Sequence, residues 1–304
     1  MKNSIFAQIH THSRYSVNDM SGEGVMHRYI WPLERQLIKY LMLTPKKIAI
    51  ESKKLGLSYV VITDHNTIPE IPKNFEEFLI PGEEWGQNKG HANFINIKKV
   101  IEPDAGFFQK KQPKNPNSFK EAVKLAREQN SFVTINHPFK KDAWLWGFET
   151  FKIADAIEIW NGPWNDENKK ALELWQILLE QGIKILGVTG NDFHVKRLYS
   201  LDENLLVMEE TKNKNEFLNN LRKGRYSLVK NQKTPYTILS NDLEYHIENY
   251  QENIEMKIIS HKMTKIINKV EEEGKLNKND FKYFVRVEIW EKSQPLCFSN
   301  PVFF

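Results

Sequence analysis

The stretch LSYVVITDHNT, residues 57–67, joins a short apolar run to an abruptly polar ending. Its first part, 57–63, is rich in large apolar and β-branched residues, which predicts a buried β-strand. Asp64 and His65 follow directly where that strand ends. In α/β folds with parallel strands, ligand-binding residues gather at the carboxyl ends of the strands. Asp64 and His65 are therefore expected to belong to a binding site if other strands of the chain end in the same way.

Helices and strands alternate along most of the chain. The segment 44–56 is predicted to be a helix, because Thr44 can cap it, Pro45 suits the first helical position and Gly56 ends it. Further helices are predicted at 118–130, 165–182 and 213–224, and further strands at 4–10, 74–82, 91–100, 131–136, 156–160 and 183–190. Repeated βα units of this kind indicate an α/β fold with a parallel sheet, either a barrel or a doubly wound sheet.

The pattern changes after about residue 232. Strands are predicted there at 236–240, 244–250, 254–260 and 281–290, with a lysine- and glutamate-rich stretch at 262–280. We therefore predict two parts, residues 1–232 and a small C-terminal all-β module at 233–304. Residues 20–43 look like an insertion into the first part, because they are apolar and aromatic and separate two elements that could be joined directly.

Composition excludes several classes of protein. With 304 residues the chain can bury a full core. Its net charge of +4 permits anionic substrates but does not indicate a dedicated nucleic-acid binder. The single cysteine, Cys297, excludes an intramolecular disulfide framework and fits a reducing compartment. No apolar run reaches transmembrane length, and the N-terminus lacks the apolar region of a signal peptide. A cytoplasmic protein without membrane contact is expected.

Histidines and carboxylates gather at the ends of the predicted strands. They are His10, His12 and Asp19; Asp64 and His65; Glu83, Glu84 and His91; His137; Glu158; and Asp192 and His194. Imidazole and carboxylate groups together are the usual ligands of Zn²⁺, Mn²⁺ or Fe²⁺. The two histidines of an HxH pair on a strand face the same side, because side chains alternate with a period of two.

These groups outnumber the ligands that one ion of four- to six-fold coordination needs, so two or three divalent ions are predicted. Clustered metal ions can bridge an attacking hydroxide, neutralise the charge on a developing oxyanion and hold the leaving oxygen. Such a site suits the hydrolysis of phosphate esters.

Five motifs, in this order, resemble those of the PHP family (polymerase and histidinol phosphatase). They are HTHSRYS (10–16), ITDHNT (62–67), PGEEW with GHANF (81–94), INHPF (135–139) and GNDFH (190–194). The resemblance covers nearly the whole chain except the insertion, and it implies a distorted (β/α)7 barrel with a trinuclear metal site. A finer likeness, to the carbamate-hydrolase-like branch of that family, lies in EIWNG (158–162) and in the closing residues 283–304.

The resemblance also implies ligands for each ion, and the family pattern PGxE selects Glu84 over Glu83 as a bridge between two of them. By motif position the ligands would be His10, His12 and Asp192 for the first ion, the bridging Glu84 with His91 and His137 for the second, and Asp19, His65 and His194 for the third.

Three residues are expected to take part in catalysis. Asp64 is expected to orient a metal ligand as a hydrogen-bond acceptor, whereas His65 or His194 could assist proton transfer if not fully committed as a ligand. Glu158 stays open between a structural and a functional role. Lys140 stays open between a phosphate contact and a solvated surface residue.

The resemblance favours a metal-dependent phosphoesterase that acts on phosphate mono- or diesters through a hydroxide bridging two ions. Small phosphorylated compounds, nucleotides or short nucleic acids would be its substrates. Two alternatives stay open. One is a carbamate or ester hydrolase that uses the same metal site, and the other is a catalytically inactive binding scaffold.

Overall fold

The computed structural model describes residues 3–16, 40–87, 89–101, 118–140, 144–196 and 200–304. Within them lie four α-helices: α1 Pro45–Lys54, α2 Phe119–Glu128, α3 Asp166–Glu180 and α4 Lys214–Arg222. The strands up to residue 232 are β1 Ser4–Gln8, β2 Tyr59–His65, β3 Leu79–Gln87, β4 Gly90–Ile95, β5 Phe132–Ile135, β6 Ala156–Asn161, β7 Leu186–Gly190, β8 Glu203–Glu209 and β9 Ser227–Asn231. The later strands are β10 Glu244–His246, β11 Glu255–Ser260, β12 Met263–Ile267, β13 Glu273–Lys275, β14 Phe284–Glu291, β15 Gln294–Ser299 and β16 Val302–Phe303. Residues 20–39 of the predicted insertion lie outside the described residues.

All four predicted helices are confirmed, and each begins at a capping side chain. Thr44, Ser118, Asn165 and Asn213 each accept a hydrogen bond from the backbone N–H three residues later. These bonds satisfy one of the donors that every helix start leaves open. None of the helices in the described part of the chain combines the length and the apolar character needed to cross a bilayer.

Fourteen of the described strands form one sheet of mixed direction, in the order β12-β11-β14-β15-β9-β8-β1-β2-β3-β4-β5-β6-β7, with β16 beside β14. The pairs β1–β2, β2–β3, β5–β6 and β6–β7 are parallel, whereas β3–β4 and β4–β5 are antiparallel. The predicted α/β class is therefore confirmed in its coarse form, a mixed fold with a large sheet and few helices.

The sheet curls back on itself just beyond β1 and β7. Thr11, which follows β1, forms a parallel bridge with Phe193, which follows β7. The amide of His12 donates to the carbonyl of Phe193 at 2.7 Å, and the amide of Thr63 donates to the carbonyl of Thr11 at 2.8 Å. The segment after β1 is thus bonded to β2 on one side and to the segment after β7 on the other. The carboxyl ends of these strands therefore face a common space.

Two clusters of buried apolar side chains form the core. The first includes Trp175 of α3 and Phe298 of β15, and the second includes Val60 of β2 and Val287 of β14. Each cluster therefore takes residues from both sides of residue 232. Trp175 packs so closely on β7 that a Cβ added at Gly187 would lie 2.9 Å from its indole ring. Helix α3 is thereby seated directly on the sheet.

Several strand predictions differ from the structure. Within the predicted strand 74–82, a short 3-10 helix occupies Lys73–Phe75 and β3 begins only at Leu79. The predicted strand at 236–240 is wrong, because Tyr236 forms only an isolated bridge with Glu248. Strands β8, β9, β12, β13, β15 and β16 were not predicted. In β12 the reason is that an edge strand rich in lysine and largely exposed lacks the alternation that marks a half-buried strand.

Candidate metal centre

The polar residues at the strand ends converge at one edge of the sheet. His10 and His12 follow β1, His65 ends β2, Glu84 lies in β3, His91 lies in β4, His137 follows β5, and Asp192 and His194 follow β7. Because β3 and β4 are antiparallel, the start of β4 lies beside the end of β3. The structure brings all of these predicted site residues together. The remaining predicted ligand, Asp19, lies outside the described residues.

Within the described residues, ligand-type atoms form three overlapping groups, and the atoms of each group lie within 4.8 Å of one another. The groups are His10, His12, Glu84 and Asp192; His65, Glu84 and His91; and His12, His65 and His194. Each has the imidazole and carboxylate donors that a divalent transition-metal ion uses. His12, His65 and Glu84 each belong to two groups, so neighbouring sites share ligands.

Glu84 lies at the centre of the cluster and is fully buried. Five imidazoles approach its carboxylate, with N–O distances of 3.3 Å for His10, 3.1 Å for His12, 3.2 Å for His65, 3.5 Å for His91 and 3.1 Å for His137. An ionised carboxylate offers about four lone-pair sites on two oxygens, so it can serve more than one cation. His137 reaches Glu84 without belonging to any of the three groups found among the described residues.

The two glutamates of PGEEW point in different directions, because successive side chains of a strand alternate between its faces. Glu84 faces the histidines, whereas Glu83 accepts a hydrogen bond from the backbone N–H of Ile101 at 2.9 Å. The structure therefore places Glu84, and not Glu83, in the cluster.

Several buried nitrogen and oxygen atoms of the cluster, all of a type that can bind a metal ion, form no hydrogen bond with another described residue. They are Nε2 of His10 and of His12, Nδ1 of His65 and of His137, and Oε2 of Glu84. The nitrogen atoms of His10, His12 and His65 among them lie 3.1–3.3 Å from an oxygen of the Glu84 carboxylate without forming a hydrogen bond, and native structures rarely contain such buried polar atoms in number. Coordination of divalent cations would satisfy these atoms, so the residues present fit a metal cluster.

The outer ring nitrogen is hydrogen-bonded in His12 and in His194. Nδ1 of His12 lies 2.7 Å from the hydroxyl of Ser16, and Nδ1 of His194 lies 2.7 Å from the carbonyl oxygen of Asp192. Histidines that bind metals use one nitrogen for the ion and the other for a contact of this kind. Ser16 also accepts a hydrogen bond from the amide of His65 at 3.0 Å. Sequence reasoning missed Ser16, since nothing in its surroundings distinguishes it from an ordinary loop serine.

Glu158, whose role the sequence left open, contacts two segments of the site. Its Oε1 lies 2.9 Å from Nδ1 of His10, and its Oε2 accepts a hydrogen bond from the backbone N–H of His137 at 2.9 Å. The side-chain amide of Asn161 also donates to Oε2 at 2.9 Å. Glu158 is therefore a hydrogen-bonding partner of the cluster and is not a member of its three groups.

Two site residues have an uncommon backbone conformation. His137 and Asp192 have positive φ angles of 25° and 51°, a region that residues other than glycine rarely occupy. Such conformations cost on the order of 1–3 kcal/mol and tend to lie at functional sites, where surrounding contacts hold them. Their occurrence at two residues that follow strands β5 and β7 is consistent with a site whose geometry is held under strain.

The charges of the cluster shift its pKa values strongly. Burial acts to lower the pKa values of His10 and His12, but the surrounding carboxylates raise both, that of His12 to about 9. Burial acts to raise the pKa values of Glu84 and Asp192, yet facing histidines, and Lys140 beside Asp192, hold both well below their ordinary values. The cationic and anionic groups thus stabilise each other. Metal ions bound here would displace protons, so binding is expected to release them.

Two other imidazoles shift in the opposite direction. Burial holds the pKa of His65 well below its ordinary value. Burial, together with the charge on His12, lowers the pKa of His194 to about 4. Both imidazoles are therefore neutral at neutral pH, which is the form that binds a metal ion.

A cleft of about 380 Å³ opens onto the cluster. The described residues that line it are His65, Glu84, His91, His137, Lys140, Glu167, Asp192 and His194. Nζ of Lys140 donates to Oδ2 of Asp192 at 2.8 Å. Glu167, which the sequence analysis did not single out, lies in the first turn of α3. The cleft therefore combines the metal-type donors with one ammonium and one further carboxylate.

Asp64 is not among the described residues that line the cleft. Its two oxygens accept hydrogen bonds from the backbone N–H of Ser13 at 2.5 Å and from the Ser13 hydroxyl at 2.6 Å. Burial raises the pKa of Asp64 against the opposing effect of these bonds. Both bonds go to Ser13 and neither goes to an imidazole. Because Ser13 directly follows His12, Asp64 holds in place the segment that carries this cluster histidine.

No protein-family model matches the chain, and no curated protein sequence matches it. Solved structures do. A two-domain protein from Bacteroides vulgatus, which contains a predicted PHP-like metal-dependent phosphoesterase, is similar over 98% of this chain and 95% of that chain, with a TM-score of 0.52 and 13% sequence identity. The chain has a PHP-like fold.

Two further solved structures are similar at lower scores. A protein from Bifidobacterium adolescentis, proposed to be a metal-dependent phosphoesterase, shares 16% identity over 66% of this chain and 91% of that chain, with a TM-score of 0.42. The lesion-specific endonuclease PfuEndoQ from Pyrococcus furiosus shares 14% identity over 77% of this chain and 62% of that chain, with a TM-score of 0.42. A PHP-like fold alone does not establish chemistry, which has to be argued from the residues of the cleft.

Proposed function

We propose that the chain is a metal-dependent phosphoesterase of the PHP type, which hydrolyses phosphate mono- or diesters. The observation that carries the proposal is the set of three overlapping donor groups around Glu84, several of whose buried atoms form no hydrogen bond with another described residue. Divalent ions bound by these groups would supply the positive charge and the activation of a nucleophile that phosphoester hydrolysis requires.

The proposed ligands serve two or three ions of manganese, zinc or iron. They are His10, His12, Asp19, His65, Glu84, His91, His137, Asp192 and His194. The three donor groups support ligand sharing, because His65 lies near Glu84 and His91 as well as near His12 and His194. We therefore propose that His65 lies between two ion sites and can serve as a ligand in either of them.

The proposed architecture is a distorted (β/α)7 barrel in residues 1–232, followed by a C-terminal β module in residues 233–304. Support for the barrel comes from the parallel pairs around β2 and β6 and from the parallel bridge between Thr11 and Phe193, which joins the segments after β1 and β7. The ligands would then lie where a barrel carries its active site, at the carboxyl ends of its strands.

Lys140 favours a phosphate ester over a carbamate as the substrate. Its ammonium lines the same cleft as the donor groups and already binds one anionic oxygen, that of Asp192. Phosphate esters carry anionic oxygens that such a group can bind, whereas a carbamate ester is uncharged. Small phosphorylated compounds, nucleotides and short oligonucleotides are the proposed substrates.

The proposal is tested by loading the purified protein with Mn²⁺, Zn²⁺ or Fe²⁺ and measuring metal content and turnover. The substrates are p-nitrophenyl phosphate, bis-p-nitrophenyl phosphate, a set of nucleotides and naphthyl methylcarbamate. We expect turnover of a phosphate ester that a chelator abolishes and added metal restores. Turnover of the carbamate alone would support the alternative hydrolase, and a protein that retains no metal would support the inactive scaffold.

Lys140→Ala should raise the KM for p-nitrophenyl phosphate by roughly ten- to a hundredfold, because a hydrogen bond to a charged group contributes about 1.5–3 kcal/mol. Metal content should stay unchanged, as measured by mass spectrometry of the metal. The control is Lys196→Ala, since Lys196 pairs with Glu51 and is not among the described residues that line the cleft. An unchanged KM in Lys140→Ala would contradict the assigned phosphate contact.

A further inference from the structure

We infer that Glu158 is a positioning residue, which fixes the tautomer of His10 and the backbone of His137 so that both imidazoles are presented to the metal cluster. The inference rests on the proposed metal site.

Glu158 is only 3% exposed. Its carboxylate oxygens lie within hydrogen-bond distance of three nitrogen atoms, one each from His10, His137 and Asn161. An ionised carboxylate only accepts hydrogen bonds. Carboxylates face both ring nitrogens of His10, but only Nδ1, 2.9 Å from Oε1 of Glu158, is in hydrogen-bond geometry, so the proton of a neutral His10 is assigned to Nδ1. Nε2 is left with its lone pair facing Glu84 and Asp192, at 3.3 and 3.5 Å from their oxygens. That lone pair is the one a metal ion needs.

The backbone around this contact leaves room for it. The pairing of β6 with β7 shifts register between Glu158 and Trp160, and bulges of this kind redirect side chains beside active sites. On β7, a Cβ added at Gly190 would lie 2.3 Å from Cβ of His10 and 2.9 Å from Oε1 of Glu158. Any larger residue at Gly190 would therefore push this pair apart.

The second oxygen of Glu158 acts on a different segment. Oε2 accepts the backbone N–H of His137, whose φ of 25° is unfavourable for a residue with a side chain. One carboxylate thus links the segment after β1 to the segment after β5. A carboxylate with a purely structural role would change the stability of the fold when it is replaced, but it would not change the tautomer of His10.

Glu158→Gln separates these two roles. Oε2 faces two donors, so the glutamine should turn its own oxygen towards them and its NH₂ group towards Nδ1 of His10. Nδ1 then becomes an acceptor and the proton moves to Nε2, where it points into the cluster. The affinity for Zn²⁺ should fall by roughly ten- to a hundredfold, the usual effect of losing such a partner.

The tautomer is measured by ¹⁵N NMR of the histidine rings, with His10 assigned from its absence in His10→Gln. Spectra are taken of the Zn²⁺-loaded protein and of the metal-free protein at alkaline pH, where the imidazole is neutral. We expect a proton on Nδ1 in the wild type and on Nε2 in metal-free Glu158→Gln. Zn²⁺ affinity is measured by calorimetry with the metal alone, so the result does not depend on whether any substrate is turned over.

Asn161→Ala is the matched control, because it removes one hydrogen bond from the same carboxylate without changing the atom that faces His10. It should keep the wild-type tautomer. A proton on Nε2 of His10 in the wild type would overturn the inference even if a variant failed to fold. So would a folded Glu158→Gln that keeps the wild-type tautomer and Zn²⁺ affinity.

Discussion

Glu84→Gln should leave a folded protein that binds fewer divalent ions and hydrolyses phosphate esters at least roughly a thousandfold more slowly, because bound metal supplies several kcal/mol of charge stabilisation to the reaction. Glu84 belongs to two of the three donor groups and lies within 3.5 Å of five imidazoles. The substitution removes the negative charge and replaces one oxygen by a donor that cannot coordinate a cation. Metal content and turnover of p-nitrophenyl phosphate are the measurements.

Glu83→Gln is the matched control for this result. It makes the same chemical change at the adjacent residue. The carboxylate of Glu83 accepts a hydrogen bond from the backbone N–H of Ile101, on the face of the strand opposite Glu84. Thermal stability should fall in this variant, while its metal content should stay at the wild-type level. A Glu84→Gln protein with full metal content and wild-type turnover would show that Glu84 is no ligand.

His65→Ala and Asp64→Asn should separate the two polar residues that end strand β2. His65 belongs to two donor groups, so its loss should remove one bound ion and reduce turnover roughly a hundredfold or more. Asp64 instead binds the amide and hydroxyl of Ser13. An asparagine can keep part of this contact, so turnover should fall only about tenfold and the ions should remain.

The deciding measurement for this pair is the number of ions per chain, determined by mass spectrometry of the metal after gel filtration. Loss of an ion from Asp64→Asn would mean that Asp64 belongs to the metal site itself. A full complement of ions in His65→Ala would remove His65 from the proposed ligands. Melting curves for both variants check that the segment after β1 remains folded.

The sequence allowed the cluster to be predicted because its chemistry depends on residue type and strand position. Histidines and carboxylates are recognisable wherever an apolar strand ends. Strand alternation lets only one of Glu83 and Glu84 face the cluster, and the resemblance to the family pattern PGxE selected Glu84. Four helices were also predicted correctly, since their capping residues, and the glycines that end three of them, are local signals. These features need only a few neighbouring residues to be recognised.

Other features depend on how distant segments meet, and the sequence did not show them. The position of His65 between two donor groups follows from the curvature of the sheet. The contacts of Ser16 and Glu158 join residues whose types are common in any protein. Strands β8 and β9 are defined by their pairing with β1 and β15, and no local pattern announced that pairing.

The hydrogen-bonded ladder around Thr11 has a consequence for how the site comes apart. Thr11 and His12 are bonded to β2 through the amide of Thr63 and to the end of β7 through the carbonyl of Phe193. Three ligand-bearing segments therefore share one small network, and separating any one of them breaks bonds to the others. Local opening here should be cooperative. The most protected backbone amides of the three segments should therefore exchange hydrogen at the same rate, and the proposed metal centre should open in a single step.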